Sequence, residues 1–236
     1  MSRRSVQSPT PRVKGGGILS PTGFLFELTG GALCLDFVNT VDNRPTPERT
    51  ELLRRYDDLL SWAVQSGAIS ARQAAVLKRE SGRWPREAQA ALDRARSVRE
   101  TLFALFSTAA AGRRLPAADL QALDAEMGAA WAHLRLAPGT GASAQWTWAG
   151  DVGLDRPLWP VLRSAAELLT SDDTGRLREC AAEKCAWLFI DRSKNQSRRW
   201  CDMSVCGNRD KVRRHRQRRA RRPRPAIKPA VAPARS

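Results

Sequence analysis

The sequence predicts an α+β protein: a mostly α-helical N-terminal domain with a short β-strand or hairpin element, then a small treble-clef-like or ribbon-like module ending in a basic helix. Three observations carry this reading. Apolar residues recur at helical spacing through most of residues 51–169. Four of the five cysteines fall within residues 180–206, as two evenly spaced pairs. Positive charge is concentrated after residue 176.

Taken in order, residues 1–20 mix Arg, Ser and Pro with three consecutive Gly and read as a disordered leader. The domain expected over 21–172 opens with Phe24 to Leu28 as a short strand, closed by Gly30-Gly31. An apolar segment interrupted by polar residues follows, Ala32 to Val41. Leu52, Leu53, Tyr56, Leu59, Leu60 and Ala63 predict a helix over 51–65, and Ser70 with Gln73 forms a capping box that opens a second. Pro85 in a first turn and Gly112 as a stop bracket the longest helix, whose stripe is Leu92, Ala95, Val98, Leu102, Leu105 and Phe106. A fourth helix is expected over 116–136. Ala137-Pro138-Gly139 then breaks the chain, and Ala144 to Trp148 alternates like an exposed hairpin strand. A fifth helix, over 156–169, precedes Ser171 to Gly175, where the domain boundary is placed; the module spans 176–220 and 221–236 is a Pro/Arg-rich disordered tail.

With 236 residues, 42% of them hydrophobic and eight of them Trp, the chain can build a sizeable core. The net charge of +16 is unevenly placed. Residues 21–175 carry 17 Lys/Arg against 19 Asp/Glu, whereas 176–236 carry 19 against 5. A near-neutral body with a strongly basic end suits a polyanion partner, since neutralising phosphates releases counterions; a solvated tail gives the same count. No apolar run approaches the roughly 20 residues that span a bilayer, so a cytoplasmic, nucleoid-associated protein with no membrane partner is expected.

The C-terminal module reads C-x4-C-x15-C-x4-C, through Cys180, Cys185, Cys201 and Cys206. Two tight turns that each present two thiolates are a simple way to supply a tetrahedral zinc ion, and four thiolates leave no open coordination position. One structural Zn²⁺ is therefore expected; two disulfides or four buried apolar cysteines are the alternatives. Trp187, Leu188, Phe189, Ile190 and Trp200 make a core too small to stand alone at this length, so metal would supply the missing stability. His133 is read as core or surface, and His215 lies in a run of arginines. Arg192, Lys194, Arg198 and Arg199 sit between the cysteine pairs. Arg209, Lys211, Arg213, Arg214, Arg216 and Arg218 spread around a helix after Cys206, an arrangement suited to phosphates in a nucleic-acid groove.

Cys206-Gly207-Asn208-Arg209 stands as the name-giving motif of the CGNR zinc finger, which the module resembles. Arg178-Glu179-Cys180 and the stretch from Cys185 to Asn195, with Asp191 and Asn195 at pattern positions, extend the match. Upstream, Gly30-Gly31 through Asp36-Phe-Val-Asn39-Thr40, followed by Asn43-Arg44, is similar to the opening of the ABATE domain that accompanies this finger in bacteria. Together the resemblances span about residues 24–220. They imply a DNA-binding transcription regulator associated with stress responses, whose N-terminal domain senses or dimerises.

If Leu33 to Asn43 is helical, Asp36, Asn39, Thr40 and Asn43 share one face. Two readings follow: with Arg44 they line a pocket for a small-molecule effector, or they cap helices and bind neighbouring backbone. Cys34 is read as a small buried apolar residue. Neither a Ser/His/Asp set, a phosphate-binding Gly-rich loop nor a His pair for an open metal site is present, so an enzyme is not expected. RNA or ribosome contact would use the same charge as DNA.

Overall fold

The computed structural model describes residues 12–13, 16–20, 23–149 and 153–220, with backbone alone for 12–13 and 218–220. The tail 221–236 and the first eleven residues of the leader lie outside the described residues. The helical body is built on α4 (Pro85–Ala110), which buries Leu92, Ala95, Val98, Leu102, Leu105 and Phe106 along the expected stripe. Around it pack α1 (Leu33–Val38), α2 (Tyr56–Gln65), α3 (Ala71–Arg83) and α5 (Ala117–Trp131), with α6 (Trp159–Leu169) against α1 and α5. Trp62 and Phe37 meet at its centre, with ring centroids 5.0 Å apart. The Ser70–Gln73 capping box is formed in both directions: Gln73 N–H donates to Ser70 Oγ at 3.2 Å and Ser70 N–H to Gln73 Oε1 at 2.9 Å.

Three elements depart from the sequence reading. Part of the leader expected to be disordered is strand: β1 (Arg12–Val13) and β2 (Gly17–Ser20) pair antiparallel in a sheet with β3 (Gly23–Phe26). The cause is tertiary. The Gln65 side-chain amide of α2 donates to Phe24 O at 2.8 Å and accepts from Phe26 N at 2.9 Å, which pins β3 and offers β2 an edge. Gly16 belongs to the same device: at φ +65° it lies where a Cβ would stand 2.6 Å from Leu52 and 3.0 Å from Trp187, so this glycine serves a close approach.

The helix expected over 51–65 starts later, at Tyr56, because β5 (Thr50–Glu51) pairs with β4 (Val41–Asp42) and Glu51 is drawn to the buried Arg99. Residues 134–136, expected in the fourth helix, belong instead to β6 (Leu134–Pro138), which pairs with β7 (Ala144–Trp148). The hairpin gives the alternating Trp strand its partner, and its turn closes through Gly139 N–H to Ser143 O at 2.8 Å. His133, preceding β6, stacks on Trp159 at 4.1 Å.

The last hairpin joins the two halves of the chain. β8 (Leu177–Glu179) and β9 (Leu188–Ile190) pair antiparallel, and Leu177, Leu188 and Ile190 fall in the same core as the helices. Ile190 N–H donates to Gly30 O at 2.9 Å, and Trp187 Nε1–H donates to Val41 O at 2.9 Å. Asn39 makes the closest junction. Its Nδ2 donates to Leu188 O and its Oδ1 accepts from Leu188 N–H, both at 2.9 Å, with Asn39 and Leu188 both buried.

Asn39→Ala leaves both backbone groups of Leu188 buried and unpaired, at about 1–3 kcal/mol each. Urea denaturation is therefore expected to show a loss of about 2–5 kcal/mol in unfolding free energy. A loss below about 0.5 kcal/mol would show that the junction carries no stability.

Candidate metal centre and basic helix

The two cysteine pairs are held by two different local devices. Cys180 and Cys185 flank the turn between β8 and β9: Cys180 N–H donates to Trp187 O at 2.8 Å and Cys185 N–H to Ala182 O at 3.0 Å. Ala186, the next residue, takes φ +58° to turn the chain into β9. Cys201 and Cys206 are arranged by Asp202, which lies between them. Its Oδ1 accepts from the N–H groups of Ser204 at 2.6 Å and Val205 at 3.0 Å, and its carbonyl from those of Cys206 at 2.9 Å and Gly207 at 3.1 Å. This tight turn, 203–207, runs directly into α7 (Asn208–Ala220). One pair in a hairpin turn and one at a helix entrance give the treble-clef-like arrangement.

All four sulfurs lie within 4.8 Å of one another, and all four cysteines are buried. Cys185 Sγ is 3.6 Å and Cys206 Sγ 3.7 Å from Cys201 Sγ. A tetrahedron with Zn–S bonds of about 2.3 Å has S···S edges of about 3.8 Å, so the cage fits the ion. The thiols perturb one another strongly: hydrogen bonds from Cys185, Cys201 and Cys206 hold Cys180 far below the usual thiol range, while Cys185 and Cys201 are driven up, chiefly by Cys180. A divalent cation resolves that competition by taking all four as thiolates. The centre holds one zinc ion. No disulfide links the cysteines.

The basic residues fall into two groups. Arg198 is spent inside the module: Nε–H donates to Trp200 O at 2.8 Å, an Nη group bonds Cys201 O, and the guanidinium sits 4.5 Å from the Phe189 ring centroid. The buried Asp191 shapes the same loop, accepting from Ser193 N–H at 2.9 Å and Arg198 N–H at 2.8 Å. Arg213 bonds Glu183 at 2.7 Å and Asp210 at 2.8 Å, Arg214 bonds Asp210 at 2.7 Å, and Arg192 bonds Asp173 at 3.0 Å. Lys194, Arg199, Arg209, Lys211 and Arg216 are exposed, and among the described residues no carboxylate forms an ion pair with them. Arg199 instead covers the Trp200 ring at 5.4 Å. The backbone of Arg218 continues the helix, but its side chain lies outside the described residues.

Asp36, Asn39, Thr40, Asn43 and Arg44 are not brought to one cavity. The helix that would align them stops at Val38, and each turns to its own partner. Asp36 accepts from Gly30 N–H at 2.8 Å, and burial pushes its carboxyl up to about 6 against that bond. Asn39 holds Leu188. Thr40 donates to Phe37 O at 2.7 Å and accepts from Arg99 at 3.1 Å. Asn43, at φ +50°, closes a turn by accepting from Thr46 N–H at 3.0 Å. Arg44 pairs with Glu100 and covers the Phe103 ring at 3.9 Å. Burial pushes the Cys34 thiol up to about 12, in keeping with a packed residue.

Asp202 and Asp210 have no role in the sequence reading. The signal for Asp202 was available, an acid directly after a ligand cysteine and two residues before Ser204, the pattern of an Asx turn. Asp210 has no such mark within its run of arginines.

The core shared by β8 and β9 with the helical body means that zinc is not the sole support of residues 176–220. Chelation is expected to expose the amides of 201–220 to hydrogen exchange while those of β8 and β9 stay protected. Equal loss of protection in all of 176–220 would contradict this division.

Comparison with known families agrees with the geometry. The family model described as "Putative stress-induced transcription regulator", ABATE, matches residues 31–172, and that of the CGNR zinc finger matches 176–219. No curated protein matches the chain. Among the described residues, no helix is long and apolar enough to cross a membrane. The two matched segments meet at the β8–β9 hairpin, whose core residues the helical body shares, and on these matches the chain belongs to the ABATE family and carries a CGNR zinc finger at its C-terminal end.

Proposed function

We propose that this protein is a zinc-dependent, DNA-binding transcription regulator of the cytoplasm and nucleoid. The finger makes the DNA contact, and the N-terminal domain carries the regulatory input, by sensing an effector or by dimerising. The observation that supports this most directly is the sorting of the arginines. Those on Asp210, Glu183, Asp173 and the Cys201 carbonyl build the module, and they leave Arg209, Lys211 and Arg216 exposed on a helix whose entrance the metal fixes, with Lys194 and Arg199 exposed on the loop between the cysteine pairs. Cations without a carboxylate partner, on a helix of diameter about 10–12 Å, are what a phosphate-lined major groove accepts. Both family matches carry non-catalytic descriptions, in line with a binding rather than a catalytic role.

The test is a salt titration of zinc-loaded protein binding to duplex DNA. Each phosphate contact contributes about −0.9 to the slope of log K against log salt. Lys194→Ala, Lys211→Ala and Arg216→Ala are each expected to make the slope shallower by about 1. Slopes unchanged in all three, or a preference for structured RNA over duplex DNA at matched salt, would overturn the reading.

A further inference from the structure

A cavity of about 560 Å³ lies where the two family segments meet, bounded by Asp42, Asn43 and Glu48 of the helical domain, the first cysteine turn and the first turns of α7. That volume is in the range of small-molecule sites, about 300–1,000 Å³. Its walls carry charges of both signs, and the exposed rim holds Glu48 and Glu183 as well as cations. The carboxylates of Asp42 and Asp210 are the deep ones, at 6% and 8% exposure, while Lys184 and Arg209 stand exposed at the mouth.

Asp42 differs from the other acids of the wall. Glu48 lies 3.7 Å from Lys184, Glu183 lies 2.7 Å from Arg213, and Asp210 is held by both Arg213 and Arg214. Asp42 forms no ion pair among the described residues; it accepts the backbone N–H of Asn43 and feels Arg209 only through its field. Burial raises its carboxyl above the usual carboxylate range despite those two influences. A buried carboxylate costs free energy unless a cation or several donors meet it. The remaining lone pairs of Asp42 are therefore a site for an ammonium. Cys185 and Cys206, which share this wall, belong to a four-thiolate zinc centre of formal charge −2, and this favours a cation at the same depth. An anionic group attached to that cation would reach the mouth, where Arg209 and Lys184 stand.

The geometry points to a binding site for a small zwitterion, an amino acid or a close relative, with its ammonium on Asp42 and its carboxylate or phosphate toward Arg209 and Lys184. This is a different place from the Asp36–Arg44 set, of which only Asn43 borders the cavity. The site stands on its own residues and does not depend on DNA being the finger's partner. Its regulatory consequence does rest on that reading, because an occupant between Asp42 and Arg209 bears on the pose of α7.

The experiment is calorimetry of full-length, zinc-loaded protein against the common L-amino acids. N-acetyl and methyl-ester derivatives of any that bind serve as controls. At least one amino acid is expected to bind, its N-acetyl form about tenfold or more weaker through loss of the charged hydrogen bond to Asp42, and its methyl ester weaker through loss of the anion. Asp42→Asn should weaken binding by about 10-fold to 100-fold and keep the zinc content and circular dichroism of the wild type. Arg209→Gln gives a second reading from the opposite end of the cavity and should narrow the difference in affinity between acid and ester. Absence of binding by every amino acid, equal binding of the N-acetyl form, or affinity untouched by both substitutions would overturn the assignment. Because no DNA enters the assay, such a result leaves the finger's role to be judged by the salt titration.

Discussion

Asn39 uses both ends of its amide on the backbone of Leu188, and the placing of the C-terminal module depends on that exchange. A β9 strand of three residues cannot position itself. In the core it is given a register along the edge away from β8, by Asn39 at Leu188 and by Gly30 O at Ile190. A side-chain amide can imitate a strand neighbour because it carries a donor and an acceptor side by side. Because both groups of Leu188 are buried, the alternative is two unsatisfied backbone groups rather than two water contacts. The consequence for the finger is direct: the first cysteine pair emerges from a hairpin already fixed to the helical body, so the metal joins a second segment to a preformed half-site.

The same economy governs charge. A helix with this density of arginine is unfavourable by self-repulsion, and Asp210 in its first turn answers it twice, by accepting from Arg213 and Arg214 three and four residues on and by facing the positive end of the helix dipole. Glu183 extends the pairing across to the first cysteine turn. Arg198, though equally basic, stabilises through the carbonyls it satisfies and the Phe189 ring it covers, so truncating it would loosen the Cys201 turn rather than remove an outward contact. Within the name-giving motif the duties separate in the same way. Cys206 ligates, Asn208 donates back to Ser204 O at 3.0 Å, and Arg209 faces the cavity shared with Asp42.

Much of this was legible in the sequence, for identifiable reasons. The α4 stripe, the Ser70 cap and the four-cysteine cage each depend on interactions within a few turns of chain, so spacing alone reports them. What was hidden depends on partners far away in the chain. Gly16 looks like a flexible linker until Trp187 and Leu52 are seen against it, and β2 is a strand because Gln65 anchors β3. Residues 134–136 match a helical period as well as a strand, and only the partner at 144–148 decides. The run from Asp36 to Arg44 makes one polar face only on a single helix; the chain leaves the helix after Val38, and a period of 3.6 no longer applies.

The fixed hairpin also limits where a signal could pass between the two family segments. A ligand shifts an equilibrium only by binding two states unequally, so communication needs an element with two available poses. β8 and β9 are poor candidates, since moving them opens the core and orphans Leu188. The segment from Cys201 through α7 is different. Among the described residues no hydrogen bond or ion pair joins α7 to the helical domain, and the attraction between Asp42 and Arg209 acts across a cavity. Zinc fixes the entrance of α7 to the first cysteine turn, which leaves the direction of the helix as the variable and the Asp42 cavity as the place from which the helical domain can act on it.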